Sequence, residues 1–181
     1  MTVRRGWAVA SGGVALVAAA GAVAGSSAAE PSAEPKRPRG VAAGCSMSSS
    51  ASFPGAFASR RNLVVGPLAL VGAGGVPTFS SAFGGQKFPL LVRTGHVVTL
   101  ELPTHARRGA GLAYGPLPQG EVSIREAHRV VTFIACDVQR FTFWSGGVLA
   151  RSPRCVPLRV WIDDEPRPRR AVIHLGVREC G

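Results

Sequence analysis

The sequence predicts an all-β fold, an antiparallel β-sandwich (Ig-like or related) that is stapled by disulfides and has about eight to nine strands. Three observations predict it. From Arg60 onward the chain is a series of nine short apolar runs split by Gly and Pro. No stretch after residue 60 sustains a 3.6-residue period over three turns, which excludes a helical core. Four cysteines, Cys45, Cys136, Cys155 and Cys180, are an even number in a chain that opens with an export-type segment, the usual signature of two disulfides.

The N-terminus, "MTVRRGWAVASGGVALVAAAGAVAGSSAAE", has a positive start at Arg4 and Arg5, an uncharged Ala/Val-rich run from Trp7 to Gly25, and small residues at Ser27, Ala28 and Ala29. That is the order of a secretory signal, so residues 1–29 are read as a signal peptide cut near Ala29. The alternative is an uncleaved anchor over residues 7–25, the one arrangement that would give this protein a membrane partner. The paired arginines lack the rest of a twin-arginine motif. "VAAGC" (41–45) looks like a lipoprotein box, but the charged stretch "EPSAEPKRPRG" separates it from the apolar run, so lipidation of Cys45 is rejected.

Residues 30–58 are rich in Pro, Ser, Ala and Gly and read as a flexible leader, tied down only if Cys45 is bridged. Residues 59–181 are the β-sandwich domain. Without residues 1–29, nineteen Lys and Arg stand against ten Asp and Glu, a net charge of +9. Only Lys36 and Lys87 are lysines and Asn62 is the only asparagine. That skew suits a GC-rich genome, so the arginine count alone is no argument for nucleic-acid binding.

The runs are 62–72, 88–93, 96–102, 111–115, 121–125, 128–138, 140–150, 155–162 and 170–178. In "HVVTLEL", His96, Val98, Leu100 and Leu102 share the inward face by the two-residue period of a strand. In "RFTFW", the same rule turns Phe141 and Phe143 inward and Arg140, Thr142 and Trp144 outward. "RTGH" (93–96) reads as a tight hairpin turn with Gly95 at positive φ.

The last two runs alternate cleanly: Val156, Leu158, Val160 and Ile162, then Ala171, Ile173, Leu175 and Val177. Folded as a hairpin across "DDEPRPRR" with Ile162 opposite Ile173, they put Cys155 opposite Cys180 and His174 opposite Trp161. Opposed residues at a non-hydrogen-bonded site lie about 4.5 Å apart, within disulfide reach. Cys155–Cys180 is therefore the expected staple, leaving Cys45–Cys136 to tie the leader to the sheet; four cysteines allow three connectivities and sequence does not choose among them.

No H-E-x-x-H, G-x-S-x-G, S-x-x-K or Walker loop is present, and no C-x-x-C pair exists for zinc or redox chemistry. The glycine clusters at 72–75, 83–85 and 145–147 lack dinucleotide-binding spacing and read as turns. Among the histidines, His128 near Glu126 or Asp137 is the best general-base candidate, but no nucleophile accompanies it. "DDE" (163–165) lacks a calcium-loop pattern. Neither a cofactor nor a metal is indicated.

Binding has more support. Trp144 and Trp161 fall in the outward register beside Arg140 and Arg159, and an exposed aromatic next to a guanidinium is a platform for sugars or anionic polymers. "HARR" (105–108) and "RPRR" (167–170) add basic clusters. No nucleic-acid module is recognisable, so nucleic acid ranks below a cell-envelope polymer or a surface protein as partner.

"FWSGGVLARSPRCVPLRVWIDD" and the terminal "LGVREC", about the last quarter of the chain, resemble small exported β-rich proteins of high-GC Gram-positive bacteria, a group to which no activity is attached. The resemblance implies an extracytoplasmic β-rich domain and carries no functional residue across. The leading expectation is a secreted or cell-surface, non-enzymatic module that binds an anionic or glycan envelope component through Trp144, Trp161, Arg140 and Arg159. The alternatives are an extracytoplasmic hydrolase using His128 with a carboxylate, and a structural or partner-binding surface domain.

Overall fold

A computed structural model describes residues 36–117, 122–137 and 139–180; the signal-type segment 1–29 and the first residues of the leader lie outside them. The described chain is all-β apart from one 3-10 turn at Cys45–Met47. Its strands are β1 (Val41–Ala43), β2 (Leu63–Val65), β3 (Leu68–Leu70), β4 (Gly85–Lys87), β5 (Leu90–Arg93) and β6 (Val97–Glu101), then β7 (Ala110–Ala113), β8 (Val130–Ile134), β9 (Phe141–Trp144), β10 (Gly147–Ala150), β11 (Arg154–Ile162) and β12 (Arg169–Leu175). They form a five-stranded sheet in the order β1-β8-β6-β11-β12, a four-stranded sheet β2-β3-β5-β9 and a three-stranded sheet β4-β10-β7. All pairings are antiparallel except β1 with β8. Leu100, Val160 and Phe133 from the first sheet, Leu70, Leu90 and Trp144 from the second, and Leu112 and Val148 from the third meet in one core. The expected disulfide-stapled sandwich is there.

The strand count is higher than expected because two apolar runs are each two strands. In 62–72, Gly66 at φ +57° turns β2 back onto β3, with Val65 opposite Leu68. In 140–150, Ser145 and Gly146 pass the chain from β9 in one sheet to β10 in another. Gly146 has no room for a side chain, since a Cβ there would lie 2.3 Å from the Tyr114 ring. In contrast, 122–125 holds no strand. β1 and β4 are short and polar or Ala-rich, so they carry too little pattern to be read.

The "RTGH" segment is not a hairpin turn. Gly95 does take a positive φ of +80°, but β5 pairs with β3 and β9 while β6 pairs with β8 and β11. The glycine turns a corner between sheets rather than joining paired neighbours. β6 itself is oriented as expected at Val98, Leu100 and Leu102, which are fully buried, but His96 precedes the strand and is half-buried against Asp163 instead of entering the core.

β11 and β12 do form a hairpin, but slid by six residues from the expected register. Val156 faces Ile173, Leu158 faces Ala171 and Val160 faces Arg169, so Cys155 stands opposite His174. Trp161 pairs instead with Thr99 of β6. A slip by an even number keeps every side chain on its face, so alternation could not detect it. Glu165 grips Arg169 at 2.6 Å and 3.1 Å and closes the tip, drawing Arg169 and Arg170 into the strand. Pro157 is tolerated because β6 pairs only with residues 159–162 of β11, leaving that edge free of a partner at 157.

Both expected disulfides are present. Cys155–Cys180 joins Cα atoms 5.7 Å apart, although Cys180 arrives by a bend at Gly176 (φ +64°) rather than by lying opposite Cys155. Cys45–Cys136 has a Cα separation of 5.6 Å, so the sulfur of Cys45 is committed to a bridge and not to a lipid. With Cys45 bridged, the leader from Val41 is part of the fold. β1 lies along β8, Ser49 donates its N–H to the Phe143 carbonyl at 2.8 Å, and Phe53 meets Phe143 edge-on at 4.9 Å. Asn62 secures the far end: its amide donates to the Ala56 carbonyl at 2.7 Å and its oxygen accepts from the Gly72 N–H at 2.9 Å.

Candidate functional site

Neither tryptophan is the surface platform expected from the sequence. Trp144 is 1% exposed and sits in the core, 5.2 Å from the Phe133 ring, with its N–H on the Gly44 carbonyl at 3.2 Å. Its register was inverted because both faces of β9 are apolar: Phe141 and Phe143 turn outward but are capped by Phe57 and Phe53 from the leader. Buried Thr142 is satisfied by the Cys136 N–H at 2.6 Å. Trp161 does point away from the core, yet it is only 2% exposed and donates to Glu101 Oε2 at 3.0 Å. A ring without accessible faces cannot stack on a sugar.

The two arginines remain at the surface. Arg140 lines a cleft of about 320 Å³ where leader residues 53–58 cross the outer face of the four-stranded sheet. The walls are Phe53, Phe57 and Phe141, with Arg93 and Arg140 at the polar side. Strand register brings these groups together. Arg93 stands opposite Phe141, and the next residue, Thr94, donates its N–H to the Arg140 carbonyl at 3.3 Å. The Arg93 guanidinium lies 4.3 Å from the centroid of Phe57, a cation–π contact that fixes its plane. Among the described residues neither Arg93 nor Arg140 has a carboxylate partner. Sequence reasoning missed Phe57, Phe141 and Arg93 here; the signal was "FPGAF" (53–57), two aromatics in a segment otherwise poor in them.

Arg159 belongs to a second constellation, on the outer face of the five-stranded sheet. Glu101 is 5% exposed, and its Oε1 accepts from Arg107 at 3.2 Å and Arg159 at 3.5 Å. Arg107 also donates Nε to the Leu102 carbonyl at 2.9 Å. The "HARR" and "RPRR" clusters thus converge, since Arg170 stands directly opposite Arg159 across β11 and β12. Burial and then the charge of Arg107 lower the proton affinity of the Arg129 guanidinium.

Three of the four histidines are engaged elsewhere, and His105 is exposed. His128 meets the Pro116 carbonyl at 2.8 Å, while Glu126 is engaged by Ser123 through both its hydroxyl and its N–H, which hold the carboxyl below its ordinary value. His174 lies 3.6 Å from Cys180, whose sulfur is already bridged to Cys155. His96 meets Asp163 at 2.7 Å, and Asp163 also accepts the Val97 N–H at 2.8 Å while holding a left-handed φ of +41°. Asp163 and Glu165 of "DDE" are therefore committed within the chain. A further cleft of about 490 Å³ runs between Phe83, Lys87, Leu117 and Val122, with Ser81 and Ser145 also in its walls, and Lys87 rests 5.4 Å from the Phe83 ring.

Asp163 gives the fold an acid-sensitive contact. Partial burial opposes its ionisation, but the Val97 N–H, His96 and the charge of Arg37 outweigh that and hold its carboxyl below the ordinary value. Its folded pKa is depressed, so this stability is present above the unfolded carboxyl pKa and is lost as pH falls through the folded one. Asp163→Asn should tolerate the left-handed backbone and flatten the acid limb of the stability curve. Urea midpoints between about pH 6 and pH 3 check this, and an unchanged slope in the variant would refute it.

The chain matches no protein-family model, and neither the curated proteins nor the solved structures contain a match.

Proposed function

We propose that this chain is a secreted or cell-surface, non-enzymatic module that binds an anionic or glycan component of the cell envelope. The observation that carries the reading is the cleft in which Arg93 and Arg140, without a carboxylate partner among the described residues, border the rings of Phe57 and Phe141. A guanidinium offers a planar fork that matches carboxylate and phosphate oxygens. The phenyl walls supply apolar surface for the C–H face of a sugar. Such a site binds without needing a nucleophile or base. The export-type N-terminus and the two disulfides support an extracytoplasmic setting.

Co-sedimentation of the oxidised protein with isolated envelope material tests the reading, at low salt and at about 0.5 M salt, where exposed charges are strongly screened. Specific binding should persist in part at the higher salt. Arg93→Gln/Arg140→Gln should weaken it about ten-fold or more, since a hydrogen bond to a charged group is worth about 1.5–3 kcal/mol. Phe57→Ala should weaken it mainly in the high-salt arm. Binding that vanishes with salt, or that ignores all three substitutions, would refute the cleft as the site.

A further inference from the structure

We infer that the protein carries a second oxyanion site, at Arg107, Arg159 and Arg170, and uses the two sites to bridge separate chains of a phosphate-bearing polymer. The inference rests on the envelope-binding reading for its first site and adds a partner class and a mode of action.

The second site is built, not merely charged. Glu101 is buried and spends one oxygen on both Arg107 and Arg159, while its other oxygen holds the Trp161 N–H. The carboxylate thus orients two guanidinium groups from beneath. Their outer edges stay open, because the side chains of Arg107 and Arg159 are 36% and 44% exposed. Each guanidinium has five N–H donors, and Arg159 uses one of them on Glu101. Arg170 stands opposite Arg159 on the same face, where like charges directly across a strand pair are destabilising. Three guanidinium groups against one buried carboxylate leave a local excess of positive charge. Three converging forks suit a tetrahedral oxyanion, whose oxygens outnumber those of a carboxylate.

The two sites face away from each other. Arg159 lies between Leu158 and Val160, both in the core, so its face of the five-stranded sheet is the outer one. Phe141 alternates with buried Thr142 and core Trp144 on β9, so the cleft is on the outer face of the four-stranded sheet. Both sheets turn their other faces into the same core. Two anion sites on opposite sides of one rigid sandwich cannot easily engage one short stretch of polymer. They can join two chains.

The test uses long-chain inorganic polyphosphate and the full oxidised protein at about 0.15 M salt, with light scattering for bridging and fluorescence anisotropy of labelled polymer for binding. Scattering should rise to a maximum and fall again in excess polymer, as each site finds its own chain. Arg159→Gln/Arg170→Gln keeps Arg107 on Glu101 and so preserves the fold; Arg93→Gln/Arg140→Gln removes the other site. Each double variant should still bind but scatter at least about ten-fold less, as multivalent assembly is lost when one site is removed. The quadruple variant should not bind. If the wild-type protein fails to bind polyphosphate, the bridging inference is overturned, while the envelope-binding reading stands or falls on co-sedimentation with isolated envelope material. If it binds without a scattering maximum, or Arg159→Gln/Arg170→Gln clusters as well as wild type, bridging is overturned and the first site stands. Clustering of anionic phospholipid vesicles without clustering of polyphosphate would also overturn it, in favour of a lipid headgroup.

Discussion

Replacing Cys45 and Cys136 together by serine should lower the unfolding free energy by about 4–5 kcal/mol, the loss expected in the chain-entropy model for a loop of this length. The bridge closes 91 residues, and it does more than restrain the unfolded chain. It anchors the stretch that places β1 along β8 and lays Phe53 and Phe57 over Phe143 and Phe141. Serine at both positions should therefore open residues 41–58 to limited proteolysis and expose those aromatics. The Cys155→Ser/Cys180→Ser variant is the internal comparison. Its loop spans 25 residues, so the same model gives about 3–4 kcal/mol, and the β11–β12 hairpin retains its ladder without it. Urea unfolding of the three proteins at one pH decides the matter. Equal midpoints for the two variants, or a leader equally protease-resistant in all three, would mean that the leader is held by its aromatic contacts and not by the bridge.

The leader also marks where sequence reading reached its limit. Alternation correctly oriented β6 and both strands of the C-terminal hairpin, because each buries one apolar stripe in the common core. It failed on β9 for a physical reason. A segment from elsewhere in the chain covers the outer face of that strand, so Phe141 and Trp144 are both shielded and the two-residue period loses its meaning. Register was beyond reach as well. The hairpin slid by an even step that leaves each face unchanged, and the tip is closed by a local pair, Glu165 with Arg169, rather than by apolar pattern.

The candidate site was half legible. Arg140 and Arg159 were named from their positions beside tryptophans, and both are surface arginines in constellations of charge. Their partners come from remote segments: Phe57 from the leader, Arg107 from the loop after β6, and Arg93 from the strand paired with β9. No window along the chain shows these neighbours together. The tryptophans drew attention as large amphipathic rings, but each satisfies its N–H internally, on Gly44 or Glu101, and serves packing.

Glu101 ties that packing to the surface charge, and changing it should move stability and anion binding in opposite directions. Glu101→Ala removes the acceptor for Trp161 and the partner of both Arg107 and Arg159. Breaking a fully buried ion pair costs about 3–5 kcal/mol, but these arginines are more than a third exposed and water takes up part of the loss. A destabilisation of about 2–3 kcal/mol is expected, much of it from the stranded indole N–H. Glu101→Gln keeps one acceptor oxygen for Trp161 but turns its NH2 toward Arg107 and Arg159, losing both the charge and their acceptor, so it should cost about 1–2 kcal/mol, less than Ala because the indole N–H stays paired. Because Gln no longer neutralises the two guanidinium groups, it should bind polyphosphate more tightly than wild type at low salt, with the gain shrinking as salt rises. Weaker binding by a folded Glu101→Gln protein would show that Glu101 matters chiefly by orienting Arg107 and Arg159, and that their geometry outweighs the charge it cancels.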